Sequence, residues 1–256
     1  MKKEEVKVFA PQEIWDNDFS GFNHNYKSVV NYDDAISKLI SEKVQPVSAG
    51  EEKDFFEIGC YLGRYMYFFG KLGYTLHGID QSPDMGNEFF NYLKSEGFKV
   101  GDIRIEDVFE LKTDRKYDFV ASFGFIEHFS NFLELIDLHF DLTKQGGKLM
   151  IMIPNLSGAI QYGIHRLVDK NHLDIHNQKA LNPSKWKENL SKHSYDVLFE
   201  GYLGGFSLWL GEQKRNLFQK LIVKLIFYKP IYKRLQRIKK NSRHYSPYYC
   251  LFVQKK

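Results

Sequence analysis

DFFEIGCYLGRYMYFFGKLGYTLHGIDQS, residues 54–82, decides the architecture. It reads as an apolar strand over Phe55–Ile58, a glycine turn, a helix from Gly63 to Leu72 and a second strand over Thr75–Ile79, ended by Asp80. Strand, helix and strand in that order are the unit of a parallel sheet covered on both faces. In such a sheet ligands sit at the carboxyl ends of the strands, where the chain turns sharply into a helix. Gly59 and Gly63 permit close backbone approach there. The helix N-terminus that follows offers free N–H groups to a polar ligand. Asp80 stands 21 residues after Gly59, a spacing that suits a carboxylate accepting the hydroxyls of a ribose.

A ribose acid alone does not choose among adenosine ligands. The dinucleotide fingerprint needs glycines at its third and sixth positions so that a pyrophosphate can lie on the backbone. Here those positions are Tyr61 and Arg64, which makes a nicotinamide dinucleotide the weaker reading. Glu57, two residues before Gly59, would repel phosphate and attract an ammonium group. A ligand with ribose, adenine and an α-amino acid fits, and S-adenosylmethionine is one.

The alternation continues along the chain. Ser28 is expected to cap a helix running to about Val44, and Ser82-Pro83 reads as the start of a helix ending near Ser95. Phe98–Ile105, broken by Gly101, Tyr117–Ser122 and Lys148–Pro154 read as strands, with a helix over Leu133–Leu142. Ser194–Tyr202 is a sixth strand and Ser246–Gln254 a terminal one. The expected division is an aromatic and helical lead-in over 1–50 that belongs to the same domain, then a domain over 51–256. That domain carries helical insertions at about 157–192 and 213–240. Trp15–Tyr26 offers turn residues between rings.

EIGCYLGRY (Glu57–Tyr65), GIDQSPDM (Gly78–Met85), DVFEL (Asp107–Leu111), KYDFVASFGFIEHF (Lys116–Phe129) and QGGKLMIMIPN (Gln145–Asn155) occur in the order seen in class I S-adenosylmethionine-dependent methyltransferases. The chain resembles that family over roughly its central 100 residues, closest to the branch with an Ile-Glu-His signature after a strand and to bacterial small-molecule and glycan methyltransferases. The resemblance implies a doubly wound α/β, Rossmann-like sheet of seven strands, the last antiparallel. It implies that Glu57 and the Gly59–Gly63 loop face the methionine portion and Asp80 the ribose. Gln81 and Met85 would lie beside the adenine, Asp107 and the Val108 N–H would bond it, and Phe123 would border the methionine end. Tyr61 departs from the usual middle glycine, so its side chain is expected to swing away from the ligand.

Several of these residues have plainer readings. Asp80 can cap the next helix, Glu57 can brace the turn, Asp102 or Glu106 can stand in for Asp107, and Cys60 suits packing more than reactivity. Methyl transfer to a hydroxyl needs the acceptor's proton removed, so a base beside the methyl group helps. His128 after the fourth strand is the first candidate, against a role in shaping its loop. NHLDIHN (Asn171–Asn177) supplies His176 as a second candidate base, and no metal is expected there. Asn155 and Trp186 are the expected substrate contacts, with GGFSLW (Gly204–Trp209) as part of an acceptor wall. The acceptor expected is a small molecule, first a sugar or lipid-linked saccharide in cell-surface glycan synthesis. A quinone precursor or natural product, and a nonenzymatic sensor of the same ligand, stay open.

Charge is distributed unevenly. Thirteen of the 36 basic residues lie from Gln213 onward with no acid among them, leaving 23 basic against 32 acidic residues before that point, a net of −9. A nucleic-acid enzyme would gather its basic groups around the cleft, so no nucleic acid is expected as partner. In LFQKLIVKLIFYKPIYKRLQRIKK (Leu217–Lys240) apolar and cationic residues interleave, as in helices that lie on an anionic membrane. Lysines snorkelling over a packed insertion are the other reading. Two scattered cysteines, Cys60 and Cys250, form no disulfide framework, and the N-terminus lacks an apolar signal segment. The expected location is the cytoplasm, with peripheral contact at the inner membrane face through 217–240.

Overall fold

The computed structural model describes residues 6–11, 13–15, 25–211 and 213–256; most of the turn-rich stretch expected at 15–26 lies outside them. Seven strands form one sheet: β1 (Asp54–Ile58), β2 (Thr75–Asp80), β3 (Val100–Ile105), β4 (Tyr117–Phe123), β5 (Thr143–Pro154), β6 (Tyr195–Leu203) and β7 (Tyr248–Lys255). Their order is β3-β2-β1-β4-β5-β7-β6. The first five run parallel, and β7 is antiparallel to both β5 and β6. The doubly wound sheet with an antiparallel last strand is therefore as expected. The order reverses between β1 and β4, which opens a crevice at the carboxyl ends of those strands.

Both faces of each central strand are apolar, so successive side chains feed two separate cores. Phe55, Phe119, Met150 and Phe252 enter one core, and Phe56, Val120, Leu149 and Leu251 enter the other. The first core is closed by α1 (Ala35–Lys43), α2 (Met66–Lys71) and α3 (Asn87–Ser95) through Ile36, Phe69 and Phe89. The second is closed by α4 (Phe132–Leu142) through Leu135, Ile136 and Phe140. Burying each of these side chains contributes about 1.5–3 kcal/mol relative to exposure. The aromatic wealth of the chain is mostly this: Phe55 stacks on Phe69 at 3.7 Å, and Phe56 on Tyr117 at 4.5 Å.

Two local expectations need correction, and a third is refined. Asp34, not Ser28, caps α1, because its carboxylate accepts the N–H groups of Ile36 and Ser37 while Tyr26–Val29 closes into a separate 3-10 turn. Ser82-Pro83 does not begin α3. The Ser82 N–H is taken by Asp80 Oδ1 at 2.8 Å, the chain makes another turn, and the helix starts after Gly86. Gly101 interrupts the pairing of β3 without ending the strand: the register with β2 shifts between Val100 and Ile103, and the His77 ring fills the space a Cβ on Gly101 would need, 2.0 Å from its Cε1.

The second half adds α5 (Ala159–Val168), α6 (Lys170–Asp174), α7 (Lys187–Leu190), α8 (Leu217–Ile226) and α9 (Lys229–Leu235). Among the described residues no helix is long and apolar enough to cross a membrane.

His139 of α4 is fully buried, its Nδ1 donating to Leu135 O and its Nε2 accepting from Ser122 Oγ at 2.9 Å. Burial pushes its imidazole down to about 4. The neutral ring therefore contributes stability that is complete above its unfolded value of about 6.5 and is lost as pH falls towards 4. In urea unfolding, the stability gap between wild type and His139→Gln is expected to narrow by about 3 kcal/mol between pH 7 and pH 4. Parallel pH profiles for the two proteins would contradict that assignment.

Candidate functional site

The crevice at the reversal of strand order holds a cavity lined from four strand tips. Gly59 and Tyr61 follow β1, Asp80 and Gln81 lie at the end of β2, Asp107 and Val108 follow β3, and Phe123, Gly124 and Phe125 carry the chain out of β4. Gly59 can make the turn because it takes φ +76°, and a Cβ there would meet the Phe125 ring at 2.4 Å.

Asp80 is the brace of this crevice. Its Oδ2 accepts the Tyr61 N–H at 3.0 Å and its Oδ1 the Ser82 N–H at 2.8 Å, so one carboxylate ties the β1 turn to the tip of β2. Burial raises its pKa and these backbone donors oppose the rise. A carboxylate has about four lone-pair directions, so two remain for hydroxyls. The bracing reading and the ribose reading of Asp80 are thus compatible. Asp107 accepts the Phe109 N–H at 3.0 Å while lining the cavity beside Val108. Glu106 lines it too, whereas Asp102 is engaged with Arg104.

Glu57 is buried beneath the loop and outside the cavity lining. Burial, and then the nearby Asp80, hold its carboxyl well above the usual range, against the Met66 N–H. Its Oε2 has no hydrogen-bond partner among the described residues. Its place under the loop departs from the expected contact with the methionine portion: the side chain lies behind the turn, not on the cavity surface. Gly63 (covered by Phe89) and Met85 (0% exposed, 3.5 Å from Cys60 Sγ) support the loop from behind and do not line the cavity. The Tyr61 ring packs edge-on against Phe89 at 5.8 Å and Tyr26 at 6.4 Å, and the residue still lines the cavity.

The opposite wall was less legible. The segment at Val8, Ala10 and Trp15 closes it, held by a bridge from Val8 to Phe129 and by the Phe9 N–H on His128 O. Phe125 and Phe129, 4.9 Å apart, and His128, with Trp15 edge-on at 4.9 Å, complete it. His128 follows β4 in a 3-10 turn together with Ile126 and Glu127. Its Nδ1 donates to Ile175 O at 2.9 Å, and the Asn177 N–H and side chain bind Glu127 O and Phe129 O. These bonds bring the two candidate bases together, with the His176 ring 4.7 Å from that of His128. His176 lies behind the cavity wall and His128 in it. Burial pushes His128 down to about 4 and Glu127 up to about 8, each towards its neutral form.

The two expected substrate contacts are structural. Asn155 is buried, and its Nδ2 donates to the Arg243 and Ser246 carbonyls, clamping the segment that leads into β7. Trp186 is fully buried in the second core, its Nε1 donating to Ala180 O at 2.9 Å. Neither lines the cavity, and Gly204–Trp209 does not either. Rings and amides at strand ends look alike in sequence whether they face a ligand or a core.

The family described as Methyltransferase domain matches residues 32–202, well over half of the chain. No curated protein matches it. Among solved structures, a SAM-dependent methyltransferase from Archaeoglobus fulgidus superposes with a TM-score of 0.54 at 17% identity, covering 96% of this chain and 100% of that one. Magnesium protoporphyrin IX methyltransferase from Synechocystis, with bound SAH, gives 0.51 at 13%, covering 91% and 84%. The plantazolicin methyltransferase BpumL in complex with SAH gives 0.50 at 16%, covering 96% and 89%. At such identities the likeness is one of fold. With the family match and the crevice geometry, the conclusion is that this chain belongs to the methyltransferase-domain family and is a class I enzyme using S-adenosylmethionine.

Proposed function

We propose that this enzyme O-methylates a small acceptor, first a sugar or lipid-linked saccharide of cell-surface glycan synthesis. One observation carries the reading: a single cavity has Asp80, Asp107 and Val108 along one wall and His128 among aromatic rings along the other. The first wall would hold the adenosyl half. The second would receive the acceptor, whose C–H faces suit the rings of Trp15, Phe125 and Phe129. S-adenosylmethionine supplies an electrophilic methyl group when bound.

The chain's own residues then align and dry the reaction. The acceptor oxygen forms a bond to the methyl carbon as the carbon–sulfur bond breaks, the electron pair staying on sulfur. Much of the acceleration in such a displacement comes from alignment. His128, held neutral with its Nδ1 proton on Ile175 O, presents Nε2 to take the acceptor's proton. His176 stands behind it with Nδ1 on His172 O. A quinone precursor or another planar natural product would also fit between the rings of that wall.

The basic helices support a place at a membrane. Leu217, Phe218, Leu221 and Leu225 of α8 are 54–85% exposed and share one stripe flanked by Lys220 and Lys224. Tyr228 and Ile231 extend the apolar surface beside Lys229 and Lys233 of α9. We read this face as contact with anionic lipid, which would bring the enzyme to a lipid-linked acceptor.

Calorimetric titration of S-adenosylhomocysteine is expected to show one site, with Asp80→Ala weakening it by at least about tenfold through loss of charge-assisted hydrogen bonds. With methyl-labelled cofactor, label is expected in glycan or lipid-linked fractions of cell extracts; label confined to soluble aromatic metabolites would replace the saccharide by the planar acceptor. In co-sedimentation, vesicles containing phosphatidylserine should retain the enzyme and neutral vesicles should not. Leu221→Glu/Leu225→Glu should abolish retention while leaving S-adenosylhomocysteine binding unchanged.

A further inference from the structure

Glu127, His128 and His176 form a cluster whose geometry exceeds what a single proton acceptor needs. One ligating atom from each lies within 4.8 Å of the other two, and all three residues are buried. Both oxygens of Glu127, a residue with no exposed surface, lack a hydrogen-bond partner among the described residues. A buried carboxyl left without a partner on either oxygen is costly, and a ligand reaching it would relieve that cost.

The two imidazoles are set in matching fashion. His128 Nδ1 is engaged by Ile175 O at 2.9 Å and His176 Nδ1 by His172 O at 2.6 Å. Each carbonyl fixes the tautomer with its proton on Nδ1, which leaves the Nε2 lone pair for a ligand. That backbone-to-Nδ1 anchor is how metal-ligating histidines are usually oriented. His128 Nε2 lies 3.9 Å from Glu127 Oε1, too long for a hydrogen bond and about half an ångström beyond the separation of two tetrahedral zinc ligands, so the pair would draw together slightly on an ion.

We propose that Glu127, His128 and His176 bind a divalent transition-metal ion of the zinc type, with an open coordination position towards the cavity. Two imidazoles and a carboxylate select such an ion over magnesium, which prefers oxygen ligands. Of the three ligands only His128 lines the cavity, so the ion would be reached from the cavity on the side of that residue. The ion's catalytic use rests on the methyltransferase reading and replaces the proton-accepting role given there to His128, whose Nε2 lone pair would then be on the ion: an acceptor hydroxyl bound to the ion is oriented and made more acidic. Its binding does not rest on that reading. Sequence spacing hides the set, because Glu127 and His128 follow β4 while His176 follows α6.

The test is titration of chelator-treated enzyme with Zn²⁺, and separately with Mg²⁺, by calorimetry, with Co²⁺ absorption as the signature of nitrogen ligation. One equivalent of Zn²⁺ at micromolar affinity or better is expected, weakened at least about tenfold by Glu127→Gln and by His176→Gln. Circular dichroism and S-adenosylhomocysteine binding, measured on the same variants, show that they are folded. Zn²⁺ binding unaltered by either substitution, or absent from an enzyme that binds S-adenosylhomocysteine, would overturn the site and leave the methyltransferase reading intact. Zn²⁺ binding that survives loss of S-adenosylhomocysteine binding in Asp80→Ala would uphold the site independently.

Discussion

The structure turns on one carboxylate. Asp80 accepts the N–H groups of Tyr61 and Ser82, and through them the turn after β1 and the turn after β2 take up a fixed relation. Removing that tie would leave the Gly59 turn to be located by its bonds to the Ile79 carbonyl. The strand order reverses at this point, so the braced turns border the gap that the sheet topology creates between its two helical layers. A ligand placed there meets backbone and carboxylate that are already oriented, which reduces the ordering cost of binding.

The second wall is built by a different device. Three bonds, from His128 Nδ1, the Asn177 N–H and the Asn177 side chain, dock the chain after α6 onto the 3-10 turn after β4. The docking draws imidazoles from distant parts of the chain into a row: His128 to His176 at 4.7 Å, His176 to His172 at 4.9 Å, and His172 to His165 at 5.5 Å. The row ends on Asp169, which bonds His165 at 3.0 Å and takes the Gly211 N–H. Polar groups packed this way are costly unless paired, and most are paired with backbone. The Glu127 carboxyl stands out because, among the described residues, it is not.

Much was legible in the sequence because local rules and the global fold agree. Alternating apolar runs gave the strands, and the positive-φ glycine with an acid 21 residues on gave the crevice. Where expectation and structure part, a competing local bond is the cause. Asp34 displaces Ser28 at the N-terminus of α1, and Asp80 captures the Ser82 N–H that a helix start would have used. Asn155 and Trp186 sit at strand and helix ends in sequence, yet both donate to backbone carbonyls inside the fold.

What the sequence determined by itself is what depends on neighbours along the chain: strand period, turn chemistry, the class of sheet and the acids at the strand tips. Tertiary structure alone decided which side chains share a space. It put Trp15, Phe125 and Phe129 around His128, hid Trp186 in the core, and moved Glu57 and Met85 behind the loop rather than into the cavity. The physical reason is that burial and ligation are properties of three-dimensional neighbourhoods. A histidine after α6 acquires its chemistry only when a carbonyl holds one of its nitrogens and the fold brings its ring beside His128 and a buried carboxyl.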